Sequence, residues 1–136
     1  MRQHYVLGFR IGQKVLLLKK LSPAWQGLNG VGGKIEKGES QYDAMIREYR
    51  EEVGVDVHDW EYRMCLDGED FVLFVFCSKG PIVAPKIVND IGEELVIAHV
   101  SDIPHLNVIP NLRWMIPLCA DAQIDGQINL HERKTT

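Results

Sequence analysis

Three glutamates fall within five residues of one another in the stretch REYREEVGV, at Glu48, Glu51 and Glu52. Steps of three and four residues return to the same side of an α-helix, so the three carboxylates share one arc. Like charges placed this way cost about 0.2–0.5 kcal/mol per pair. Three uses would explain the expense. The first is a solvated face, in which Arg47 and Glu51 form an i,i+4 pair of opposite charge. The second is a general acid/base pair. The third is a site for a hard divalent cation such as Mg²⁺, Mn²⁺ or Ca²⁺, because the ligands on offer are all oxygens. No histidine or cysteine lies nearby at ligand spacing, which disfavours zinc.

A glycine run precedes these acids. GVGGK, Gly30 to Lys34, lets a backbone approach closely and turn without strain. Carbonyls freed in such a run can join a Mg²⁺ shell, and Mg²⁺ is commonly held by one or two carboxylates together with substrate phosphate oxygens. A glycine run alone is weak, since it serves equally as a turn. Beside three helical carboxylates it points to a metal-bridged phosphate site.

The elements that must position these groups can be read coarsely. HYVLGFR and KVLLLKK are short apolar runs, a hairpin or two adjacent strands. SPAWQGLNGVGGKIEKGE holds five glycines and reads as a long loop of the functional kind. Ser40 to Val53 reads as a helix: Ser40 caps it with Asp43 three residues on, and Gly54 stops it. Tyr42, Met45, Ile46, Tyr49 and Val53 form its core face. The glutamates occupy a neighbouring arc, where Ala44 leaves room above itself. EYRMCL and DFVLFVFCS pair through a DGED turn, with the second strand buried on both faces. EELVIAHV is a further strand, and NLRWMIPLCADA a helix that Pro117 should end or kink. INLHERKTT is a weak strand and then a polar tail. Strands, helix, strands, helix make a mixed α/β or α+β domain.

Gly33 to Val55 fits the pattern G-x5-E-x7-R-E-U-x-E-E-x-G-U, where U is apolar, at Gly33, Glu39, Arg47, Glu48, Glu51, Glu52 and Gly54. Val55 fills the last apolar place and Tyr49 the first, where an aliphatic is more usual. The stretch resembles the signature of the Nudix hydrolases and spans 23 of the 136 residues. The resemblance implies an α/β/α sandwich around a mixed sheet, with the chain forming a single domain over 1–136. It implies hydrolysis of a nucleoside diphosphate linked to another group, with Mg²⁺ as cofactor and Mn²⁺ as a substitute. By position, Glu48, Glu51 and Glu52 resemble the metal ligands, and Glu48 is also a candidate base. The Gly32 carbonyl would be a further ligand. Arg47 resembles the residue that orients the glutamates, and Glu39 its supporting partner. A later acid often completes such sites; Glu94 is the first candidate and Glu93 the second, each equally readable as an exposed acid at a strand start.

The flanks resemble those of the MutT-like enzymes, the oxidised-purine nucleoside triphosphatases. In those an Asn before the Gly-Gly-Lys run lines the base pocket, which Asn29 matches, with Lys34 closing the run. Asn29 reads equally as a turn residue. IPNLRWMIPL is similar to the segment carrying a polar base reader, at Asn111, which reads equally as a helix N-cap. Trp114, Trp25 and Phe9 are candidates for stacking on a base or for the core. The acidic pair expected near Asn111 is replaced by Pro110 and Leu112, which weakens any preference for 8-oxoguanine. The expected reaction takes a nucleoside or deoxynucleoside triphosphate to monophosphate and pyrophosphate. Nucleotide sugars, ADP-ribose, dinucleoside polyphosphates and a catalytically silent nucleotide-binding module are the alternatives.

Bulk properties agree. Net charge is −4, which opposes a stable nucleic-acid complex and leaves a small nucleotide as partner. No apolar run approaches a membrane span and no signal pattern opens the chain, so the expected location is cytoplasmic. Cys65, Cys77 and Cys119 are odd in number and far apart, the pattern of buried free thiols. Monomer and homodimer both remain open.

Overall fold

The computed structural model describes residues 2–20, 27–83, 93–121, 123–124 and 126–131. Eight strands form one mixed sheet: β1 (Gln3–Ile11), β2 (Lys14–Lys20), β3 (Leu28–Asn29), β4 (Val31–Lys34), β5 (Glu61–Asp67), β6 (Phe71–Lys79), β7 (Glu93–His99) and β8 (Ile128–His131). Helix α1 (Gln41–Val53) follows β4, and α2 (Leu112–Ala120) follows a 3-10 helix at Val100–His105.

β1 is the spine. It runs parallel to β6 over its whole length, from Gln3↔Phe71 to Ile11↔Lys79. Its other edge is shared, with β4 along Tyr5–Gly8 and β2 at Ile11. β5 and β6 form the expected hairpin, and β8 adds to β5 in parallel. β7 lies antiparallel along β2.

Strand alternation sorts the side chains into two cores. Val6, Leu16, Leu18, Val31 and Phe76 pack against Ala44, Met45, Ile46, Tyr49 and Val53 of α1. Leu7, Phe9, Ile11, Val15, Leu17 and Val75 pack against Leu112, Met115, Ile116 and Cys119 of α2. One sheet therefore has a helix on each face, the α/β/α sandwich that the motif implied. Cys77 and Cys119 are buried, Cys65 is half-buried, and all three are free thiols.

The start and stop of α1 follow local chemistry. Ser40 Oγ accepts the Asp43 N–H at 3.0 Å, and Gly54 ends the helix at φ 80°, ψ 16°, with its N–H donating to the Arg50 carbonyl. Replacing Ser40 by Ala should cost about 1 kcal/mol, read as a Tm lower by roughly 3 °C. A Tm equal to wild type would show that this cap adds nothing.

Three expectations need correction. The glycine-rich stretch is not all loop, because residues 28–29 and 31–34 are strands. Glycine is a poor strand former, but here the missing side chains let β4 close on β1: a Cβ on Gly32 would strike the Val6 carbonyl. The front of that stretch, with Trp25, lies outside the described residues. The buried face of α1 is also wider than expected and rotated. Tyr42 is 40% exposed, whereas Ala44 is fully buried and Glu48 only 9% exposed. At about 100° per residue this face covers roughly 200° and takes in the Glu48 and Glu52 positions, leaving Glu51 outside it. Finally, of the two effects expected of Pro117 the ending of α2 is not seen: the residue sits inside the helix, which runs on to Ala120.

Candidate functional site

α1 lies over β4, and its glutamates meet the glycine strand there. Gly33 shares the α1 face of the sheet with its register partner Val6. A Cβ built on Gly33 would lie 2.6 Å from Glu48 Cδ and 2.7 Å from Oε2. The Glu48 carboxylate thus rests where any other residue at position 33 would put its side chain.

Arg47 organises the acids. Its Nε donates to Glu39 Oε2 at 2.7 Å and its Nη2 to Glu39 Oε1 at 2.9 Å, a two-point contact of the kind guanidinium geometry favours. Its Nη1 reaches Glu48 Oε1 at 2.9 Å and Glu51 Oε2 at 3.3 Å, with Glu36 at 3.7 Å. Nη2 also donates to the Lys34 carbonyl at 3.1 Å, tying α1 to β4. The Arg47 hydrogen bond holds the Glu39 carboxyl below its ordinary range. Burial pushes Glu48 the other way, and Arg47 only partly offsets it. Glu48, Glu51 and Glu52 also occupy the C-terminal half of α1, where the helix dipole disfavours anions.

Glu51 is 58% exposed, whereas Glu52 is half-buried with Oε2 out of solvent. Among the described residues, no three His, Cys, Asp or Glu side chains close into a metal cage. The donor set is nonetheless carboxylate and carbonyl oxygen beside a glycine cradle, which fits a hard divalent cation.

The later acid is sorted by register. Glu94 pairs with Lys19 and Glu93 with Lys20. Leu95 packs on the α1 core and Ala98 on the α2 core. Alternation thus sets Glu93 on the α1 face and exposed Glu94 on the opposite one, which reverses the order of preference drawn from sequence.

On the α2 side of β4 lies a cavity of about 430 Å³. Its polar lining is Tyr5, Asn29, Lys34 and Asn111, with apolar walls from Leu7, Leu73, Ile109, Leu112 and Met115. Gly32 and Gly33 also line it, as do Val6 and Leu18 of the α1 core, so the cavity reaches the β4 backbone on which the Glu48 carboxylate rests. Asn29 and Asn111 meet because residues 107–109 run beside β3. Leu28 N–H donates to the Asn107 carbonyl at 2.8 Å, and Ile109 N–H to the Leu28 carbonyl at 2.9 Å. Gly27, at φ 126°, allows that approach, since a Cβ there would lie 3.0 Å from the Asn107 carbonyl oxygen.

The other candidates separate. Asn111 precedes α2, but its side chain makes no cap; Oδ1 accepts the Trp114 Nε1–H at 3.3 Å instead. Trp114 lines a different hollow with Leu66, Leu118, Leu130 and His131. Phe9 is fully buried in the α2 core. Sequence reasoning missed Tyr5 and the apolar wall. Alternation along β1 puts Tyr5 on the α2 face with Leu7, a signal that was available; nothing marked Leu73 or Ile109.

A glutamate helix packed on a glycine strand, with a cavity of about 430 Å³ beside it, is the arrangement expected of the hydrolase class that the motif resembles. The NUDIX domain profile matches residues 1–108, and the chain belongs to the Nudix hydrolase family. An uncharacterized Nudix hydrolase of Bacillus subtilis, YvcI, is 55% identical over 128 residues, covering 87% of this chain and 76% of that protein. A structure from work on MutT of Aliivibrio salmonicida and Vibrio cholerae matches with TM-score 0.77 at 20% identity, over 86% of this chain and 95% of the other. An ADP-ribose pyrophosphatase from Streptococcus suis matches with TM-score 0.75 at 15% identity, over 97% and 100%. At such identities these two likenesses concern the fold. Nudix hydrolases generally use divalent metal ions. No described helix is long and apolar enough to cross a membrane.

Proposed function

We propose that the protein is a Mg²⁺-dependent pyrophosphohydrolase that cuts a nucleoside or deoxynucleoside triphosphate to the monophosphate and pyrophosphate, with Mn²⁺ able to substitute. The observation that carries this reading is the double role of Gly33, which lines the cavity and cradles the Glu48 carboxylate. A base seated beside Asn29 and Asn111 would leave its phosphates to run over the Gly32–Gly33 backbone toward α1, with Lys34 exposed at the edge. Glu48, Glu51, Glu52, the Gly32 carbonyl and Glu93 are the groups that would hold the ion. The bound ion supplies charge neutralisation on the phosphate oxygens and acidifies water. Arg47, fixed by Glu39, holds the glutamates in place, and Glu48 is the first candidate to take the proton from the attacking water.

ADP-ribose is the second reading, the substrate carried in the name of the Streptococcus suis enzyme whose fold this chain shares. A panel of dNTPs, NTPs, 8-oxo-dGTP, ADP-ribose, nucleotide sugars and dinucleoside polyphosphates separates the two. Triphosphates should give the highest kcat/KM, with pyrophosphate released rather than phosphate. Turnover confined to ADP-ribose, sugars or dinucleotides would remove the triphosphate reading.

A further inference from the structure

The floor under α1 alternates between bulk and bare backbone. On the α1 face of β1 and β4, two cross-strand pairs each join one valine to one glycine, in opposite order. Val6 stands against Gly33, and Val31 against Gly8. The valines are ridges and the glycines leave two pits. Side chains of α1 fill both. The Glu48 carboxylate rests in the Gly33 pit, and the Met45 thioether in the Gly8 pit, where a Cβ would lie 2.6 Å from Met45 Sδ. Met45 and Glu48 are three residues apart, so they leave α1 on the same side. The two differ in freedom. Glu48 keeps some exposure, whereas Met45 is fully buried. Trp60 closes the far side of its pit, with Cζ3 3.1 Å from that same Cβ position. The indole is fixed in turn: its N–H donates to the Val57 carbonyl at 2.9 Å, and it meets the Tyr49 ring edge-on at 5.2 Å between centroids. β1 is held by β6 along one edge and by β4 on the other. A filled pit would therefore act on α1, which meets the sheet through side chains.

We infer that Gly8 and Met45 are positioning residues: the Met45 thioether seated in the Gly8 pit sets the height and register of α1, and so brings Glu48 down onto Gly33. The inference rests on the reading that Glu48 serves the proposed hydrolysis. Gly8 lies outside the Gly33–Val55 motif, and Met45 falls at one of its unspecified places. Val31 across the strands and Val6 along β1 border the Gly8 pit, so a displaced α1 would press Met45 against a branched side chain. The same floor thus opposes sliding as well as lifting.

The test fills the pit. With β1 and β4 superposed, crystal structures of wild type and Gly8→Ala should show Glu48 Cδ displaced by about 1 Å. A shift of that size should lower kcat for dGTP with Mg²⁺ by about 10², with KM within about twofold of wild type. Met45→Val shortens the side chain, unseats α1 and should lower kcat about fivefold. Gly8→Ala/Met45→Val has as many side-chain heavy atoms as wild type. It should return Glu48 to Gly33 and kcat to within about threefold of wild type. Met64→Ala opens a cavity in the α2 core and should lower Tm yet leave kcat unchanged. A role in stability alone would instead make every variant lose kcat in proportion to Tm. Glu48 undisplaced in Gly8→Ala overturns the inference, as does a double variant no more active than Met45→Val. The second comparison decides alone if Gly8→Ala does not fold. Displaced Glu48 with wild-type kcat would remove the role proposed for Glu48 and leave the seat standing. Lost kcat with Glu48 in place would do the reverse. No turnover of dGTP by wild type would remove the proposed reaction, and the position of Glu48 would still decide.

Discussion

Glu52→Gln should lower kcat by about 10³, roughly 4 kcal/mol of transition-state stabilisation, with Tm within about 3 °C of wild type. The substitution keeps the shape of the side chain and removes one charge. Glu52 lies on the inner side of α1, with Oε2 buried, so its charge is held in a place where water screens it poorly. A cation held there would lose most when a ligand of that kind becomes neutral. Folding should hardly notice, because the charge removed stands beside Glu48, whose carboxyl is already pushed up by burial. Glu51→Gln should act in the same direction. Steady-state kinetics with Mg²⁺ and a thermal melt give the two readings, and the double variant is the decisive one. If Glu51→Gln/Glu52→Gln turns over like wild type, the proposed roles of both residues fall.

Two adjacent glycines should fail in different ways. Gly33→Ala places a methyl against the Glu48 carboxylate, 2.6 Å from Cδ. The obstacle is the end of a flexible side chain, and Gly33 is not among the described glycines of positive φ. The fold should therefore yield by turning Glu48 aside, costing about 1 kcal/mol of stability. Activity should fall by about 10², since a displacement of about 1 Å in a catalytic group costs that much. Gly32→Ala meets backbone instead: the Val6 carbonyl, with Val6 C at 2.9 Å and Leu7 Cα at 3.0 Å. β1 cannot retreat, because β6 holds it along its whole length. The expected loss there is about 3 kcal/mol of stability. Urea unfolding beside kcat/KM separates the pair. Equal loss of stability in both, or wild-type kcat in Gly33→Ala, would refute the cradle.

Much of this was legible in the sequence because it is local. The start of α1 is written in Ser40 and Asp43, its end in Gly54, and the β5–β6 turn in DGED. The motif spacing marked Glu39 and Arg47, and the structure brings them into a two-point contact. What escaped is set by partners distant in the chain. β4 is a strand only because β1 can lie against bare glycine. The inner position of Ala44 and Glu48 depends on where β4 runs, which no helical wheel contains. Choosing between Glu93 and Glu94 needs the β2–β7 register, since a shift of one residue exchanges the two faces. Asn111 was read as a base reader or a cap; its bond to Trp114 follows from one helical turn of geometry, but the nearness of Asn29 comes from residues 107–109 running beside β3.

The placement of β4 between cavity and glutamates has a consequence for how such an enzyme can change. The cavity is lined from β1, β3, β4, β6 and the start of α2, while Glu48, Glu51 and Glu52 come from α1, across a strand that carries no side chains at Gly32 and Gly33. The two sets of residues thus sit on separate pieces of chain, joined through the Gly32–Gly33 backbone and through Val6 and Leu18, which line the cavity and pack in the α1 core. Substitutions at Asn29 or Asn111 should be nearly additive in free energy with a substitution at Glu51, whereas changes at Val6 or Leu18 should couple to both sets. On the proposed function, a change of ligand made through Asn29 or Asn111 would leave the α1 glutamates where they are, and the two glycines are what make room for that division.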